Sequence, residues 1–316
     1  MLSGVLHCWD GRELELPQFL SWRLEYGPGS PCDSFQLVCP WEPGKASMEK
    51  GATVTLTYQG AVCFQGIVDE TEHTISASGG EAAFSGRGMA ARLLDNEALP
   101  MEYQVATTAD ILRDHVTPYG VQVADAGNLP AVGGFSVSSG ESEWQVLYQF
   151  ARYYGGVNPW FDREGRLHLS PFTGQNTLTV DGTAAVTRLC WRERRYGVLS
   201  QILVRDRTAP AVETVVNTDF LAQGGLRRQV LTMPGRSNYQ AMRYNGQYQI
   251  QRSRAGQKEV ELTVPSLFFA WPGDLVKLDR PGWGCRGLWR VREAVVSSGE
   301  RGGETALVLA DPENGF

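Results

Sequence analysis

Residues 82–98 read AAFSGRGMAARLLDNEA, and within them Gly86-x-Gly88-x-x-Ala91 lies between a strand-like run and a helix-like one. The spacing outlines a dinucleotide-binding turn, whose glycines let the backbone close on a pyrophosphate at a helix N-terminus. Such a turn needs a buried parallel strand before it, a helix of some length after it, a second parallel strand, and an acidic residue about 20 positions on. The strand and helix context is absent. The preceding runs alternate polar and apolar, as in an antiparallel sheet. The helix from Met89 to about Glu97 is cut short before Pro100, and Met101-Glu102-Tyr103-Gln104-Val105 is no apolar parallel strand. The glycines read instead as a sharp exit from the last strand of a β unit. Leu93 and Leu94 would pack back on that unit, Asp95-Asn96 would end the helix, and Arg87 and Arg92 would be salt-bridging surface groups.

Upstream, the sequence predicts an antiparallel meander. Thr53-Val54-Thr55-Leu56-Thr57-Tyr58 alternates with period two, Gln59-Gly60 turns, and Ala61–Val68 returns. His73–Ala77 and Glu81–Ser85 then flank a Ser78-Gly79-Gly80 turn. Downstream the character changes. Thr107 is a candidate N-cap for a helix over 108–113, with Asp110 three residues on, ending near Pro118-Tyr119-Gly120. Ser142-Glu143-Trp144 opens a second helix, with Trp144, Leu147, Ala151 and Tyr154 at helical spacing and Gly155-Gly156 as its stop. A hairpin follows, 158–162 against 166–169 around Arg163-Glu164-Gly165.

After Asp181-Gly182 the pattern is β again, interrupted by a polar, Arg-rich region near 205–258. The closing segment echoes the opening one. Gly51-x-x-Val54-x-Leu56 matches Gly273-x-x-Val276-x-Leu278. Phe64-x-Gly66 matches Cys285-x-Gly287, and Gly80-Glu81-x-Ala83-Phe84 matches Gly303-Glu304-x-Ala306-Leu307. The expected architecture is therefore mainly β with a small α+β module: two related tube-type β-barrel domains plus inserted peripheral domains. The expected boundaries are 1–97 for the first barrel and 98–178 for the two-helix module. The second barrel would be discontinuous, 179–208 and 266–316, around an Arg-rich insertion at 209–265.

Charge is unevenly spread over the 316 residues, whose net is −6. Residues 1–187 carry net −12, residues 188–258 net +9, and residues 259–316 net −3, an asymmetry that points to a segment with its own partner. The basic set is Arg192, Arg194, Arg195, Arg205, Arg207, Arg227, Arg228, Arg252 and Arg254, interleaved with Tyr239, Tyr244 and Tyr248. It superficially resembles a groove for single-stranded nucleic acid, but the acidic remainder would repel a polyanion. Pairing with an acidic neighbouring subunit is the simpler expectation. Trp271-Pro272-Gly273 and Pro281-Gly282-Trp283-Gly284 read as exposed turns, open to carbohydrate stacking or to a subunit contact. The interface candidates are thus Arg192, Arg194, Arg195, Arg227, Arg228, Arg252, Arg254, Trp271 and Trp283.

No motif for hydrolase, phosphate or Ca²⁺ chemistry occurs. His115 reads as a residue of an amphipathic helix, and His7, His73 and His168 as strand residues, rather than as bases or ligands. The six cysteines are scattered without a C-x-x-C and read as mostly buried, reduced thiols, Cys32–Cys39 being the one disulfide weighed against that. No catalytic, cofactor or metal residue is expected. The N-terminus shows no export signal, and no run approaches the ~18 apolar residues of a membrane span.

In order along the chain stand Phe84-Ser85-Gly86-Arg87-Gly88-Met89-Ala90-Ala91-Arg92-Leu93-Leu94-Asp95-Asn96-Glu97-Ala98, then Thr108-Ala109-Asp110-Ile111-Leu112, then Gly140-Glu141-Ser142-x-Trp144-x-Val146-Leu147, then Asp162-x-Glu164-Gly165-Arg166-Leu167. This succession resembles the baseplate hub proteins of contractile-tailed phages, the late-control-D and Mu-type 43-kDa tail protein group. The resemblance covers residues 1–180 by motif and the rest by topology. It implies a non-enzymatic virion protein of the tail baseplate, made in the bacterial cytoplasm. It also implies a homotrimer whose chains each give two tube-like barrels to a pseudo-sixfold ring. That ring would join a sixfold tail tube to a threefold central spike and let DNA through its lumen. The module and the insertion would lie outside, facing the spike, neighbouring hub or baseplate wedge proteins. Two other readings stand beside it, a cell-wall or carbohydrate-active hydrolase module of a tail and a nucleic-acid-binding protein.

Overall fold

The computed structural model describes residues 1–27, 32–43, 48–77, 79–172, 176–207, 212–233 and 237–312. Ser78, the first residue of one expected turn, and the expected boundary at 208/209 lie outside the described residues. The first β unit contains β1 (Leu2–Cys8), β2 (Glu13–Glu15), β3 (Ser21–Tyr26), β4 (Ser34–Pro40), β5 (Gly51–Tyr58), β6 (Ala61–Ser76) and β7 (Gly79–Gly88). Alternation decides which face turns inward: Phe35, Leu37 and Cys39 of β4 are buried while Gln36 between them is exposed. Gln59 (φ 52°) and Gly60 (φ 84°) both take left-handed backbone, as the tight two-residue link from β5 to β6 requires. A β-bulge at Asp69, between Val68 and Glu70, bends β6 as it runs on beside β7.

The opening stretch has a structural task. A Cβ on Gly86 would collide with the Ile67 carbonyl and the Phe35 ring, and one on Gly66 would collide with the Arg87 carbonyl. Glycine at both places lets β6 and β7 cross closely over the core. Arg87 then forks between two carboxylates. Its Nε and Nη2 donate to Asp69 at 2.7 and 2.9 Å, and its Nη1 and Nη2 donate to Asp95 at 2.9 and 2.7 Å. The bulge of β6 is thereby tied to the end of α1 (Ala91–Leu94), a single turn shorter than the sequence predicts. Arg92 donates to the carbonyls of Tyr119 and Gly120, 3.2 and 3.4 Å away.

The second unit follows with β8 (Met101–Ala106), α2 (Thr108–His115), β9 (Val123–Asp125), β10 (Val132–Val137), α3 (Glu143–Tyr148), β11 (Trp160–Phe161) and β12 (Leu167–His168). Both helices start on reciprocal caps, Thr107 with Asp110 and Ser142 with Gln145. α3 continues in a wider-turn helix over Gln149–Tyr154. Leu93, Ile111, Phe135, Leu147, Phe150 and Leu167 form its core. One polar network is sealed into it. Glu143, 3% exposed, accepts from the Tyr119 hydroxyl at 2.5 Å and pairs with His115 Nδ1 at 2.6 Å. Nε2 of the same ring lies 3.0 Å from the Tyr103 hydroxyl, which donates to Asp114.

The chain then forms β13 (Thr177–Asp181) and β14 (Arg188–Glu193) before entering the insertion of β15 (Gln201–Arg205), β16 (Val212–Val216), α4 (Thr218–Ala222), β17 (Arg228–Thr232) and α5 (Tyr239–Ala255). It closes with β18 (Lys258–Val264), β19 (Leu275–Asp279), β20 (Gly287–Gly299) and β21 (Gly302–Ala310). Two strands fall outside the units predicted for them. β15 pairs with β16 and β17 and buries Ile202 and Val204 against α5, so it belongs with the insertion rather than with the second barrel. β18, predicted within the insertion, pairs with β14 and β21 and buries Val260, Leu262 and Val264 in the barrel core. Short alternating runs look alike in sequence, and only the partner strands separate them.

The echo between the ends of the chain is a repeat of topology. β3, β4, β7, β6 and β5 lie side by side in the first unit, and β14, β18, β21, β20 and β19 in the closing β unit, in the same order. The bulge at Asp69 of β6 recurs at Arg292 of β20. Val54, Leu56 and Phe84 are buried in the first unit, and Val276, Leu278 and Leu307 in the closing β unit.

Gly86→Ala is expected to lower the urea midpoint by the equivalent of about 1–3 kcal/mol, because the methyl group has nowhere to go. Gly256→Ala, where a methyl meets open space at φ −88°, is expected to shift it by less than about 1 kcal/mol. Glu143→Ala is expected to cost about 2–4 kcal/mol in the same measurement, since it leaves His115 Nδ1 buried without its partner and removes the acceptor of the half-buried Tyr119 hydroxyl.

Candidate assembly interface

The two β units are fused strand to strand. β3 of the first pairs antiparallel with the second half of β20, Trp22 opposite Ser298, Leu24 opposite Val296 and Tyr26 opposite Ala294. The inward faces of both strands are buried, Leu24, Ala294 and Val296 completely, and one apolar core runs across the junction. Burying side chains such as Trp22, Leu24 and Tyr26 stabilises the contact by about 1.5–3 kcal/mol each.

Three units converge at Trp271. The Tyr26 ring meets it edge-on with centroids 4.3 Å apart, and the Tyr26 hydroxyl donates to the Cys63 carbonyl at 3.0 Å. From the β11–β12 turn of the second unit, the Arg163 guanidinium lies 3.6 Å from the centre of the Trp271 ring, a cation–π contact of about 0.5–2 kcal/mol. Burial raises the Tyr26 pKa well above its ordinary value and lowers that of Arg163. Trp271, predicted on an exposed turn, is therefore only 8% exposed and inside the molecule. Its neighbours come from distant parts of the chain, which sequence spacing does not reveal. Trp283 is half-buried, with Arg280 placed 5.5 Å from its ring centre.

Much of the predicted arginine set is engaged by groups of its own chain. Glu259, 4% exposed, is ringed by Arg192 at 3.7 Å, Arg194 at 3.6 Å and Arg292 at 2.8 Å, and Arg192 also pairs with Glu261. Arg195 donates to the Gln223 carbonyl and lies over the Phe220 ring. Arg227 lies over the Tyr196 ring, and Arg254 is 3.8 Å from Asp219. Arg228 and Arg252 are exposed. For Arg192, Arg194 and Arg254 an acidic partner is thus supplied from within the chain. Tyr248 lies under the Arg152 guanidinium at 3.2 Å and beside Tyr148, tying α5 to the second unit, while Tyr239 and Tyr244 face solvent.

The histidines lie apart, and no group of three or more metal-ligating side chains occurs among the described residues. His115 holds its buried carboxylate, and His168 stacks on Trp160 while bonding Asp162 at 3.0 Å. None of the six cysteines forms a disulfide; four are buried, and Cys32 and Cys190 are half-buried. No helix among the described residues is long and apolar enough to cross a membrane. Tyr26 and Arg163 escape the sequence reading: the first is one of several aromatic residues in short strands, and the second lies between the two acidic residues of Asp162-x-Glu164.

Residues 90–171 match the family model described as the second domain of gp44-like baseplate hub proteins. The tail protein from Neisseria meningitidis MC58 superposes with a TM-score of 0.77 at 19% identity, over 99% of this chain and 97% of that one. The 43 kDa tail protein of prophage MuSo2 from Shewanella oneidensis gives 0.77 at 16% identity, over 99% and 100%. The E. coli protein c3393, a component of the type VI secretion system with structural similarity to T4 bacteriophage tail proteins gp27 and gp5, gives 0.58 at 14% identity, over 94% and 75%. The search of curated proteins finds no match. The resemblance to the baseplate hub family therefore rests on a second-domain match at residues 90–171, and the fold is shared with two tail proteins, one of them from a prophage, along nearly the whole chain.

Proposed function

We propose that the chain is a structural hub of a phage or prophage tail baseplate, three copies of which form a pseudo-sixfold ring between the tail tube and the central spike. One observation carries the reading: a single chain holds two β units of the same strand order, fused edge to edge through β3 and β20. Three such chains offer six equivalent units on one face and three chains on the other, which is what a junction between a sixfold tube and a threefold spike requires. In this reading residues 1–97 form one tube unit, and β13, β14 and β18–β21 form the other. The two-helix unit and the insertion lie outside, toward the spike, wedge proteins or a neighbouring hub. The net −7 of residues 1–97 suits a lumen through which DNA passes without being held. The protein's role is mechanical rather than catalytic.

The solution mass tests this reading. Light scattering on the purified chain is expected to give the mass of three chains, with rings in negative-stain images. A strict monomer that releases fragments from peptidoglycan would instead establish the hydrolase reading. Tight DNA binding that weakens steeply with salt would establish the nucleic-acid reading.

A further inference from the structure

The repeat leaves one pairing made and its counterpart open. In the first unit β3 has a partner on each side, β4 and the second half of β20. Its counterpart β14 pairs only with β18, and its other edge meets no strand among the described residues. The second half of β20 is flanked by β21 and β3. Its counterpart in β6 pairs, among the described residues, only with β7, because β5 covers β6 no further than Ile67. Both open edges carry the marks of a missing neighbour. Trp191 on β14 is 54% exposed and Ile75 on β6 is 68% exposed, although each lies on the core-facing side of its strand, opposite Val260 and Gly80. The corresponding residues at the internal junction, Leu24 and Ser298, lie within a closed contact. Beside the β6 edge, the His73 ring packs on Trp41 with centroids 4.5 Å apart. His73 Nε2 and Trp41 Nε1 are both shut off from solvent without a hydrogen-bond partner.

We infer that β14 of one copy adds antiparallel to residues 71–75 of β6 in the next copy, in the register that β3 takes on β20. The inference rests on the ring reading and gives it an atomic contact. The two bulges fix the alignment, Asp69 with Arg292, so that Ala294–Ser298 correspond to Thr71–Ile75. The shared pairing onto β4 and β18 aligns Trp22–Tyr26 with Leu189–Glu193. Transferring the junction places Leu189 opposite Ile75, Trp191 opposite His73 and Glu193 opposite Thr71. On the outer face Arg192 falls opposite Glu72 and Cys190 opposite Thr74. The core faces coincide, and the cross-strand charges are of opposite sign, as stable antiparallel pairs need. An open edge with exposed Trp and Ile would otherwise invite unregulated strand addition.

The register makes a single substitution diagnostic, because a native thiol already occupies one side. Thr74→Cys in the full chain, under mild oxidation, is expected to give disulfide-linked species of two and three chains. Adding Cys190→Ser is expected to abolish them. Glu72→Cys and Ser76→Cys, each two residues out of register, are expected to link at least fivefold less, since diagonal neighbours lie beyond disulfide reach. A chain that is trimeric by mass yet forms no Cys190-dependent link overturns this contact and leaves the ring standing. A chain that is monomeric and unlinked at every concentration overturns both.

Discussion

The junction of β3 with β20 is the constraint on which the rest of the molecule depends. Two β units of the same order need not touch; here the edge of one is the continuation of the other, and a single apolar core passes beneath both. That fusion fixes their relative rotation through backbone hydrogen bonds and buried side chains together. Strand pairing has period two, so a slip of one residue would turn Leu24 and Val296 outward and break the core. The Tyr26–Trp271–Arg163 contact adds a third body to the same point, fastening the second unit's hairpin over the seam.

A second fastening sits in the stretch that first resembled a nucleotide turn. Gly86 is needed where the backbone of β7 crosses the Ile67 carbonyl and the Phe35 ring. Arg87, between the glycines, holds the bulge of β6 and the end of α1 at once through Asp69 and Asp95. These groups are partly exposed, so the ion pairs contribute modestly to stability. Their forked geometry nevertheless fixes the angle at which the chain leaves the β unit. The second unit then rests on its own core and on the sealed Glu143–His115–Tyr119 network.

Much of the fold was legible from patterns of short range. Alternation in Thr53–Tyr58, the Gln59-Gly60 turn, the caps at Thr107 and Ser142 and the hairpin around Glu164-Gly165 all appear where the residues imply them. α5 was not legible. Its seventeen residues are mostly polar, with Gly246 in the middle, where a Cβ would strike Val215. A helix packed through a glycine and a few scattered apolar residues leaves no clean stripe in the sequence. The arginines that looked free for a partner were not legible either, because Glu259 and Glu261 stand opposite Arg192 only once β14 and β18 are paired.

By itself the sequence determined the local elements, the two-helix module and the existence of a repeat, because each of these is written in periodicity, caps and turn residues over a few positions. Only the tertiary structure decided which strands belong to which unit, that Trp271 is buried, and that one edge of the repeat is closed within the chain while its counterpart stays open. Strand pairing is a contact between segments far apart in the chain. Its register depends on the partner's pattern as much as on a strand's own, and no single segment carries that information.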